Sequence, residues 1–248
     1  MRIIADLHTH SIASEHAYSS IGEMAASAAQ KGLYALAVTD HFGGMPGAPG
    51  SIYFDNLNQV VPRQYKGVQL ICGAEANILN FQGEIDLPPV LADRLDWVVA
   101  SIHHLRNLDL ENPTPARCTE LWLAVAENPM VRVIGHSGSP AYAYDYETVI
   151  PVFGRQGKLV EINAASFWIR KESIPNCRKI AEACKKHQVP IVVNSDAHIE
   201  TDVAAFGAAL DMLRDMDFPE ELVVNGSRDR LDAYLRQYTR FFSRARKG

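Results

Sequence analysis

Cysteine is scarce in this sequence, and the few cysteines are not spaced as metal ligands. Cys72, Cys118, Cys177 and Cys184 form no CxxC pair and no dense framework. This spacing argues against a disulfide scaffold and against a thiolate zinc site. The residues that precede Asp6 leave no room for the apolar segment of a signal peptide, so we expect a cytoplasmic protein.

Long apolar runs and a strong net charge are also lacking. No stretch of about 18 apolar residues occurs, so we expect no membrane span. The formal charge of −5 gives no general attraction to nucleic acid, which is not expected as a partner. The basic residues near the C-terminus are interpreted as a solvated helix face and tail: Arg240, Arg244, Arg246 and Lys247.

The sequence has no GxSxG elbow, P-loop, GxGxxG fingerprint or HExxH pair. Serine-nucleophile hydrolysis, nucleotide cradling and dinucleotide binding therefore have no local support. With 47% hydrophobic and 21% charged residues, the 248-residue chain has an ordinary globular composition. No linker or change in composition divides it, so we expect one domain over residues 1–248.

Short apolar runs alternate with helix-like stretches, which is typical of βα units and a mostly parallel sheet. Strands are predicted at residues 3–6, 35–39, 68–73, 97–101, 131–135, 159–162 and 191–194. Helices are predicted at residues 21–31, 115–127, 146–154, 176–187, 202–215 and 227–241. Residues 43–50 (GGMPGAPG) are predicted to form a rim loop. A barrel of βα units is favoured, with its chemistry at the carboxyl ends of the strands.

Seven of the nine histidines fall at or after a predicted strand end: His8, His10, His16, His41, His103, His136 and His198. Carboxylates join them at the same rim: Asp6, Asp40, Glu75 and Asp196. Neutral imidazole and carboxylate suit zinc, manganese or iron. Crowding so many polar groups without a cation would leave several unpaired, at roughly 1–3 kcal/mol each. The pattern therefore predicts a metal centre, with Glu75 and Asp196 as bridging ligands.

The other rim residues are given structural or orienting roles. Asp6 and Asp40 are candidates to accept a hydrogen bond from an imidazole and so fix its orientation. Alternation along the strand points His104 away from the face of His103. His187, near the end of a predicted helix, is expected to interact with the helix dipole.

Eight ordered motifs resemble those of the PHP (polymerase and histidinol phosphatase) superfamily, most closely its YcdX-like phosphatases. They are DLHTHSIAS (6–14), HAYS (16–19), VTDH (38–41), GAEAN (73–77), ASIH (100–103), IGH (134–136), EIN (161–163) and NSDAH (194–198). The resemblance covers nearly the whole chain. It departs from the YcdX-like pattern after His136, where proline is usual, and at His104, where an acidic residue is usual.

The resemblance implies an α/β fold, a distorted (βα)7 TIM-like barrel, with two to three divalent metal ions at its rim. Zinc is expected first, with manganese or iron as alternatives. It assigns His8, His10, Glu75 and Asp196 to one metal, Glu75, His103 and His136 to a second, and His16, His41 and His198 to a third.

The expected activity is metal-dependent hydrolysis of a small phosphate ester, with the attacking hydroxide bridging the metals held by Glu75 and Asp196. Asn163, Arg170 and Lys171 are candidates to orient the phosphate, although a solvated loop pair is an equal reading of the last two. Alternatives are an amidohydrolase-type C–N hydrolase, a non-catalytic metal-stabilised module and a nuclease. Homo-oligomer formation stays open.

Overall fold

A computed structural model describes residues 1–103, 105 and 109–243 of the chain. His104 and the basic residues Arg244, Arg246 and Lys247 lie outside the described residues.

Seven parallel strands follow one another around the molecule in chain order, each paired with the next. A short eighth strand, β3, pairs antiparallel with β4. The strands are β1 (Ala5–Asp6), β2 (Ala35–Val38), β3 (Gln64–Tyr65), β4 (Val68–Asn77), β5 (Trp97–Ser101), β6 (Val133–Ile134), β7 (Leu159–Asn163) and β8 (Ile191–Asn194). All seven predicted strands are therefore present, although β1 and β6 are shorter than predicted and β4 is longer.

The first and last strands approach each other at their carboxyl ends. Thr9 and Ala197, just beyond β1 and β8, form a parallel bridge. The N–H of His10 donates to the carbonyl of Ala197 at 2.8 Å. The sheet thus curls into a nearly closed barrel, which confirms the predicted α/β barrel class.

Asn225 joins the same two strands nearer their amino ends. Its side-chain amide donates to the carbonyls of Ala5, at 2.9 Å, and Val193, at 2.7 Å. Its side-chain oxygen accepts the N–H of Val193 at 3.1 Å. Because the residue is fully buried, these hydrogen bonds hold the seam between β1 and β8 without contact with water.

Helices surround the barrel: α1 (Ile21–Gln30), α2 (Ser51–Val60), α3 (Pro89–Ala92), α4 (Pro115–Glu127), α5 (Tyr146–Arg155), α6 (Ser166–Ile169), α7 (Ile174–His187), α8 (Gly207–Asp215) and α9 (Arg228–Tyr238). The six predicted helices are present; α2, α3 and α6 are additional. In the described part of the chain, no helix is both long and apolar enough to span a membrane.

Local sequence explains where several helices begin. Ser20 and Glu23 form a capping box at α1, in which each side chain accepts the other residue's backbone N–H, at 3.3 and 2.7 Å. At α4, the Thr114 hydroxyl accepts the N–H of Arg117 at 3.3 Å, and Pro115 occupies the first turn.

Inward-facing side chains fill the amino-terminal half of the barrel. Trp97, at the start of β5, is fully buried and donates its indole N–H to the carbonyl of Leu7 at 3.0 Å. Leu231 and Leu235 of α9 belong to the same apolar cluster. Because α9 packs against the amino-terminal end of the barrel, the polar site lies at the carboxyl ends of the strands.

The glycine-rich residues 43–50 form turns at that carboxyl end, immediately after β2, as predicted. The loop is tied to the neighbouring segments. The N–H of Phe42 donates to the carbonyl of Glu75 at 2.9 Å, and the N–H of Gly44 donates to Asp86 Oδ2 at 2.9 Å.

Candidate metal centre

The predicted histidines and carboxylates meet at the carboxyl rim of the barrel. Each of β1, β2, β5, β6 and β8 is followed by one or more of these residues, and β4 itself carries Glu75. Most of the nine positions are buried, whereas His16 is exposed and His103, His136 and His198 are partly so. The fold thus gathers residues from across the whole chain at one place.

Glu75 lies at the centre of this cluster and is only 1% exposed. Imidazole nitrogens of five histidines approach its carboxylate: His41 Nδ1 (2.8 Å), His136 Nε2 (2.9 Å), His8 Nε2 (3.3 Å), His103 Nε2 (3.4 Å) and His10 Nε2 (3.5 Å). A carboxylate with two oxygens in this position can reach more than one cation.

Asp196 forms the second anionic point of the cluster. Its Oδ1 lies 3.2 Å from His10 Nε2, 3.6 Å from His8 Nε2 and 3.8 Å from His198 Nδ1. Its Oδ2 accepts a hydrogen bond from Arg170 at 2.9 Å. One carboxylate oxygen therefore faces the imidazoles while the other is already satisfied.

His16 stands at the outer side of the cluster. Its Nε2 lies 3.1 Å from His41 Nε2, and its ring stacks on His41 at 4.9 Å between centroids. The ring of His198 is 5.0 Å away. His16, His41 and His198 are thus neighbours.

Several buried polar atoms at the centre make no well-aligned hydrogen bond among the described residues, even where two of them lie close together, as His41 Nδ1 and Glu75 Oε2 do at 2.8 Å. They are Nε2 of His8, both ring nitrogens of His10, Nδ1 of His41 and Oε2 of Glu75. Leaving such groups unpaired costs roughly 1–3 kcal/mol each. Imidazole nitrogens and carboxylate oxygens are ordinary ligands of zinc, manganese and iron. The residues present therefore fit a metal centre.

Donor atoms lie close enough to hold a cation in three overlapping groups within the described part of the chain. The groups are His8, His10 and Glu75; His41, Glu75 and His103; and His10, His41 and His198. The first falls within the first predicted ligand set. The others differ in part, because His41 joins Glu75 and His103, and His10 takes the place of His16. The assignment of ligands to individual ions stays a prediction.

The surroundings of the imidazoles shift their pKa values in opposite directions. Burial would lower the pKa of His8, but the nearby carboxylates of Glu161 and Glu75 outweigh it and raise that pKa well above its ordinary value. The pKa of His10 lies well below its ordinary value, first because of burial and then because of His41. His10 is thus neutral, which is the form that binds metal.

The two carboxylates are ionised despite their burial. Burial would raise the pKa of Glu75, yet His103 and His8 hold it well below its usual range. Burial would also raise the pKa of Asp196, but the charge of His8, a hydrogen bond with His10 and the charge of Arg170 together hold it well below its usual range. Two buried carboxylates close to several imidazoles offer the mixed oxygen and nitrogen donors that a divalent cation can take in place of the imidazole protons.

Glu161 and Asn77 orient the imidazoles, and their roles were not predicted from the sequence. Glu161 accepts a hydrogen bond from His8 Nδ1 at 2.8 Å, which turns Nε2 toward Glu75. Asn77 Oδ1 lies 2.6 Å from His103 Nδ1 and has the same effect on that ring. Both residues stand in quoted motifs, EIN and GAEAN, and that position was the available signal.

The hydrogen bonds of Asp6 and Asp40 differ from their expected role. Asp40 accepts from the N–H and hydroxyl of Ser11, both at 2.7 Å, and from the hydroxyls of Ser14 and Tyr53. None of the hydrogen bonds between described residues joins it to an imidazole. It instead fixes the loop between His10 and His16.

Asp6 likewise accepts from a backbone segment and not from a ring. It bonds the N–H of Ser195 at 3.0 Å, the Ser195 hydroxyl at 2.5 Å and the N–H of Ala204 at 2.9 Å. Burial raises the pKa of Asp6 to about 6. Asp6 thus positions the residue that precedes Asp196.

Two of the predicted ligands have left-handed backbone conformations, His136 with φ 23° and Asp196 with φ 59°. Such conformations cost of order 1–3 kcal/mol each for residues other than glycine. The N–H of His136 donates to Glu161 Oε2 at 2.8 Å, and the N–H of Asp196 donates to the carbonyl of His8 at 3.0 Å. The surrounding structure therefore holds strained backbone where ligands are needed.

Of the three predicted phosphate-orienting residues, two lie at the cluster. Asn163 Nδ2 donates to Asp196 Oδ2 at 3.1 Å. Arg170 Nη2 donates to Asn163 Oδ1 at 3.1 Å and to Asp196. Lys171 is exposed and does not line the cavity that opens above the cluster. Its role stays a prediction with no support from its position.

A cavity of about 380 Å³ opens above the cluster. Its polar lining includes His16, His41, Glu75, His103, His136, Asp196, His198 and Arg170. A smaller pocket of about 160 Å³ shares His103, His136 and Arg170 and extends toward Ser139 and Tyr142. Of these two cavities, the larger is in contact with both buried carboxylates.

His187 lies apart from the cluster. It stands in the last turn of α7 and its Nε2 is 2.8 Å from Glu147 Oε2 at the surface. The prediction that it serves the helix end, and not the metal centre, agrees with this position.

The sequence profile of the PHP domain matches residues 6–165. The chain therefore belongs to the PHP domain family, which confirms the resemblance of its motifs. A relative named as a probable phosphatase, from Clostridium botulinum (strain Hall), is 39% identical over 236 residues, covering 95% of this chain and 96% of the relative.

Solved structures share the fold. The histidinol phosphate phosphatase of Lactococcus lactis, solved with zinc, L-histidinol and phosphate, is 16% identical with a TM-score of 0.62, covering 88% of this chain and 95% of that one. An amidohydrolase is 13% identical with a TM-score of 0.52, covering 95% of this chain and 74% of that one. At such identities the similarity concerns the fold alone, and the fold does not separate the two reactions.

Proposed function

We propose that this protein hydrolyses small phosphate monoesters with divalent metal ions held at the rim cluster. The observation that carries the proposal is the set of buried, unpaired donor atoms around Glu75. Membership of the PHP domain family and a relative named as a probable phosphatase support the choice of phosphate esters.

We assign nine residues as metal ligands: His8, His10, His16, His41, Glu75, His103, His136, Asp196 and His198. Glu75 and Asp196 are the bridging candidates because each has several imidazole nitrogens around its carboxylate. When bound, divalent ions supply charge neutralisation for the phosphate and lower the pKa of water. Two to three ions, zinc first and manganese or iron next, suit these ligands.

The chain's own contribution is to hold the ester in place. Arg170 lines the cavity, and its Nη2 and Nε groups are fixed by Asp196, Asn163 and Ser166. Among the described residues no hydrogen bond uses its Nη1. A guanidinium held in this way can direct its remaining N–H groups to a phosphate oxygen. Asn163 is a positioning residue, since it holds Arg170 and Asp196 together.

The C–N hydrolase alternative has less support in the site. Amidohydrolases that begin with an HxH pair commonly use a carboxylated lysine as the bridge, but no lysine is among the described residues that line this cavity. Glu75 occupies the central position. A phosphate ester is therefore the better match to the cluster.

The remaining assignments follow from composition and chemistry. The net charge of −5 favours a small ester over nucleic acid as the substrate. All four cysteines are free and buried, which suits a reducing cytoplasm. We treat residues 1–248 as one domain, and oligomeric state is left to measurement.

The first experiment combines metal analysis with hydrolysis of 4-nitrophenyl phosphate before and after chelation. Two to three ions per chain and chelator-sensitive phosphate release are expected, with activity restored when zinc, manganese or iron is added back. His10→Gln should lose both metal and activity. His187→Gln, a histidine outside the cluster, should keep both.

Phosphate release that survives complete removal of metal would overturn the proposal. Bound metal without hydrolysis of any phosphate ester would instead favour the C–N hydrolase alternative.

A further inference from the structure

One tryptophan differs from the others in its exposure. Trp97 and Trp122 are 0% and 1% exposed, whereas Trp168 is 43% exposed. Trp168 lines the 380 Å³ cavity together with its neighbour Ile169, which is 60% exposed. Large apolar side chains left open at a cavity that contains charged groups are typical of ligand-binding surfaces.

The cavity is chemically divided. Part of its lining consists of ionised and imidazole groups, whereas the segment that follows β7 contributes an apolar wall formed by Ala165, Trp168 and Ile169. A phosphate monoester is divided in the same way, since its phosphate is anionic and its alcohol part can be apolar. The wall therefore matches the part of the ester that leaves.

The apolar wall is fixed relative to the cluster. Asn163 Oδ1 accepts the N–H of Ser166, the first residue of α6, at 3.1 Å. The same side chain donates to Asp196 Oδ2 at 3.1 Å. Trp168 is thus positioned within one short helix whose start is tied to a proposed metal ligand. Such preorganisation is what a specificity-determining side chain needs.

The dimensions limit the size of the leaving group. A volume of about 380 Å³ is near the small end of the range for small-molecule sites, which is about 300–1,000 Å³. That space suits a phosphate with a single ring better than a large polymer.

We propose that Trp168 selects phosphate esters whose leaving group carries a planar apolar ring, by stacking its indole on that ring. This inference rests on the proposed phosphatase function and adds the substrate class. Offset stacking of aromatic rings gives affinity beyond the burial of area alone, so a phenyl ring should bind about tenfold more tightly than a methyl group.

The test compares two probes that carry the same charged group and a P–C bond in place of the ester bond. Phenylphosphonate and methylphosphonate are titrated into the metal-loaded protein, and dissociation constants are measured by calorimetry. The wild-type protein should prefer phenylphosphonate about tenfold. Trp168→Ala should reduce the preference to about twofold or less, and Trp168→Phe should keep most of it.

Two controls separate stacking from general effects. The affinity for methylphosphonate should be the same in wild type and Trp168→Ala, since the phosphonate group does not need the ring. Val90→Ala, at a 66% exposed apolar residue of α3 that does not line the cavity, should leave both affinities unchanged. In addition, phenylphosphonate should change the tryptophan emission of the wild type but not that of Trp168→Ala.

The outcomes distinguish this inference from the proposed function. Equal binding of both phosphonates, or a preference that persists in Trp168→Ala, overturns the role of Trp168 while leaving the phosphatase proposal intact. The persistent preference would place the ring elsewhere, such as the 160 Å³ pocket beside Ser139 and Tyr142. If neither phosphonate binds to the wild type or to any variant, both proposals are overturned.

Discussion

Glu161 connects several parts of the site, although it is not among the nine proposed ligands. Its Oε1 accepts from His8 Nδ1 and Asn194 Nδ2, both at 2.8 Å. Its Oε2 accepts from the backbone N–H of His136 at 2.8 Å and from Asn163 Nδ2 at 3.1 Å. The Glu161 carboxylate thus fixes the ring of His8, the left-handed backbone at His136 and the side-chain amides of Asn163 and Asn194.

Glu161→Gln should lower metal affinity by about 10–100-fold, because His8 would lose its ionised acceptor and part of its basicity as a ligand. Competition with a chelator of known affinity measures the change. The control is Glu147→Gln, which removes a surface carboxylate that pairs with Lys186 and His187.

Equal metal affinity in Glu161→Gln and wild type would show that the charge of Glu161 does not support the site. Equal loss in both variants would point to a general effect of removing negative charge.

At the scale of the element, β4 and β5 approach each other more closely than most side chains would permit. A Cβ added at Gly73 would lie 2.4 Å from the carbonyl oxygen of Trp97, the residue with which Gly73 is paired. Only glycine fits beside a backbone atom at that distance. Glu75 follows two residues later, so this close pairing helps to place the central carboxylate.

Gly73→Ala should therefore separate the two strands. We expect the free energy of unfolding to fall by about 1–3 kcal/mol, as for other overpacked core positions, and metal retention to fall with it. Urea unfolding and metal analysis test this. Gly207→Ala is the matched control, since a Cβ there meets no atom within 4 Å. It should change stability by less than about 1 kcal/mol.

A Gly73→Ala variant as stable and as well loaded with metal as Gly207→Ala would show that the strands can yield without moving Glu75.

The elements missed from the sequence share a physical reason. α2 has no side chain that caps its first turn, and two of its apolar residues, Ile52 and Val60, are 79% and 68% exposed. These features weaken the 3.6-residue periodicity of apolar residues from which a helix is predicted. β4 continues through Glu75 to Asn77, but a charged residue inside a buried strand interrupts the apolar pattern.

The location of the site could be predicted from the sequence, but the contacts within it could not. Parallel strands bring their carboxyl ends together, so the gathering of His8, Glu75 and Asp196 at one rim followed from the order of elements. The contact between His8 and Glu161 spans 153 positions and depends on closure of the barrel. Separations of that kind cannot be predicted from local patterns.

For the molecule as a whole, Lys158 makes stability depend on pH. Its side chain is 3% exposed, and its ammonium donates to the carbonyls of Asn128 and Val131 at 2.5 and 2.9 Å. Burial, and then the charge of Arg132, lowers the pKa of Lys158 to about 8. Between about pH 8 and about 10.4 the unfolded chain keeps a proton that the folded chain has released.

The free energy of unfolding should therefore rise with pH through that window because of Lys158, by about 2 kcal/mol between about pH 7.5 and 9.5. Urea unfolding at both values, in wild type and Lys158→Met, isolates this contribution as the difference between the two changes. Lys186→Met, at an exposed lysine, should behave as the wild type does. Identical pH dependence in wild type and Lys158→Met would contradict the lowered pKa.

The seam between β1 and β8 has a consequence for the newly synthesised protein. As the ribosome extends the chain, His8 and His10 emerge first, whereas Asp196, His198 and the seam residue Asn225 come last. A nascent chain cannot complete the proposed cation site until synthesis has passed His198. The ion assigned to His8, His10, Glu75 and Asp196 would then gain its full set of ligands only after residue 196 has been added, and a chain truncated before that residue would lack Asp196 and His198.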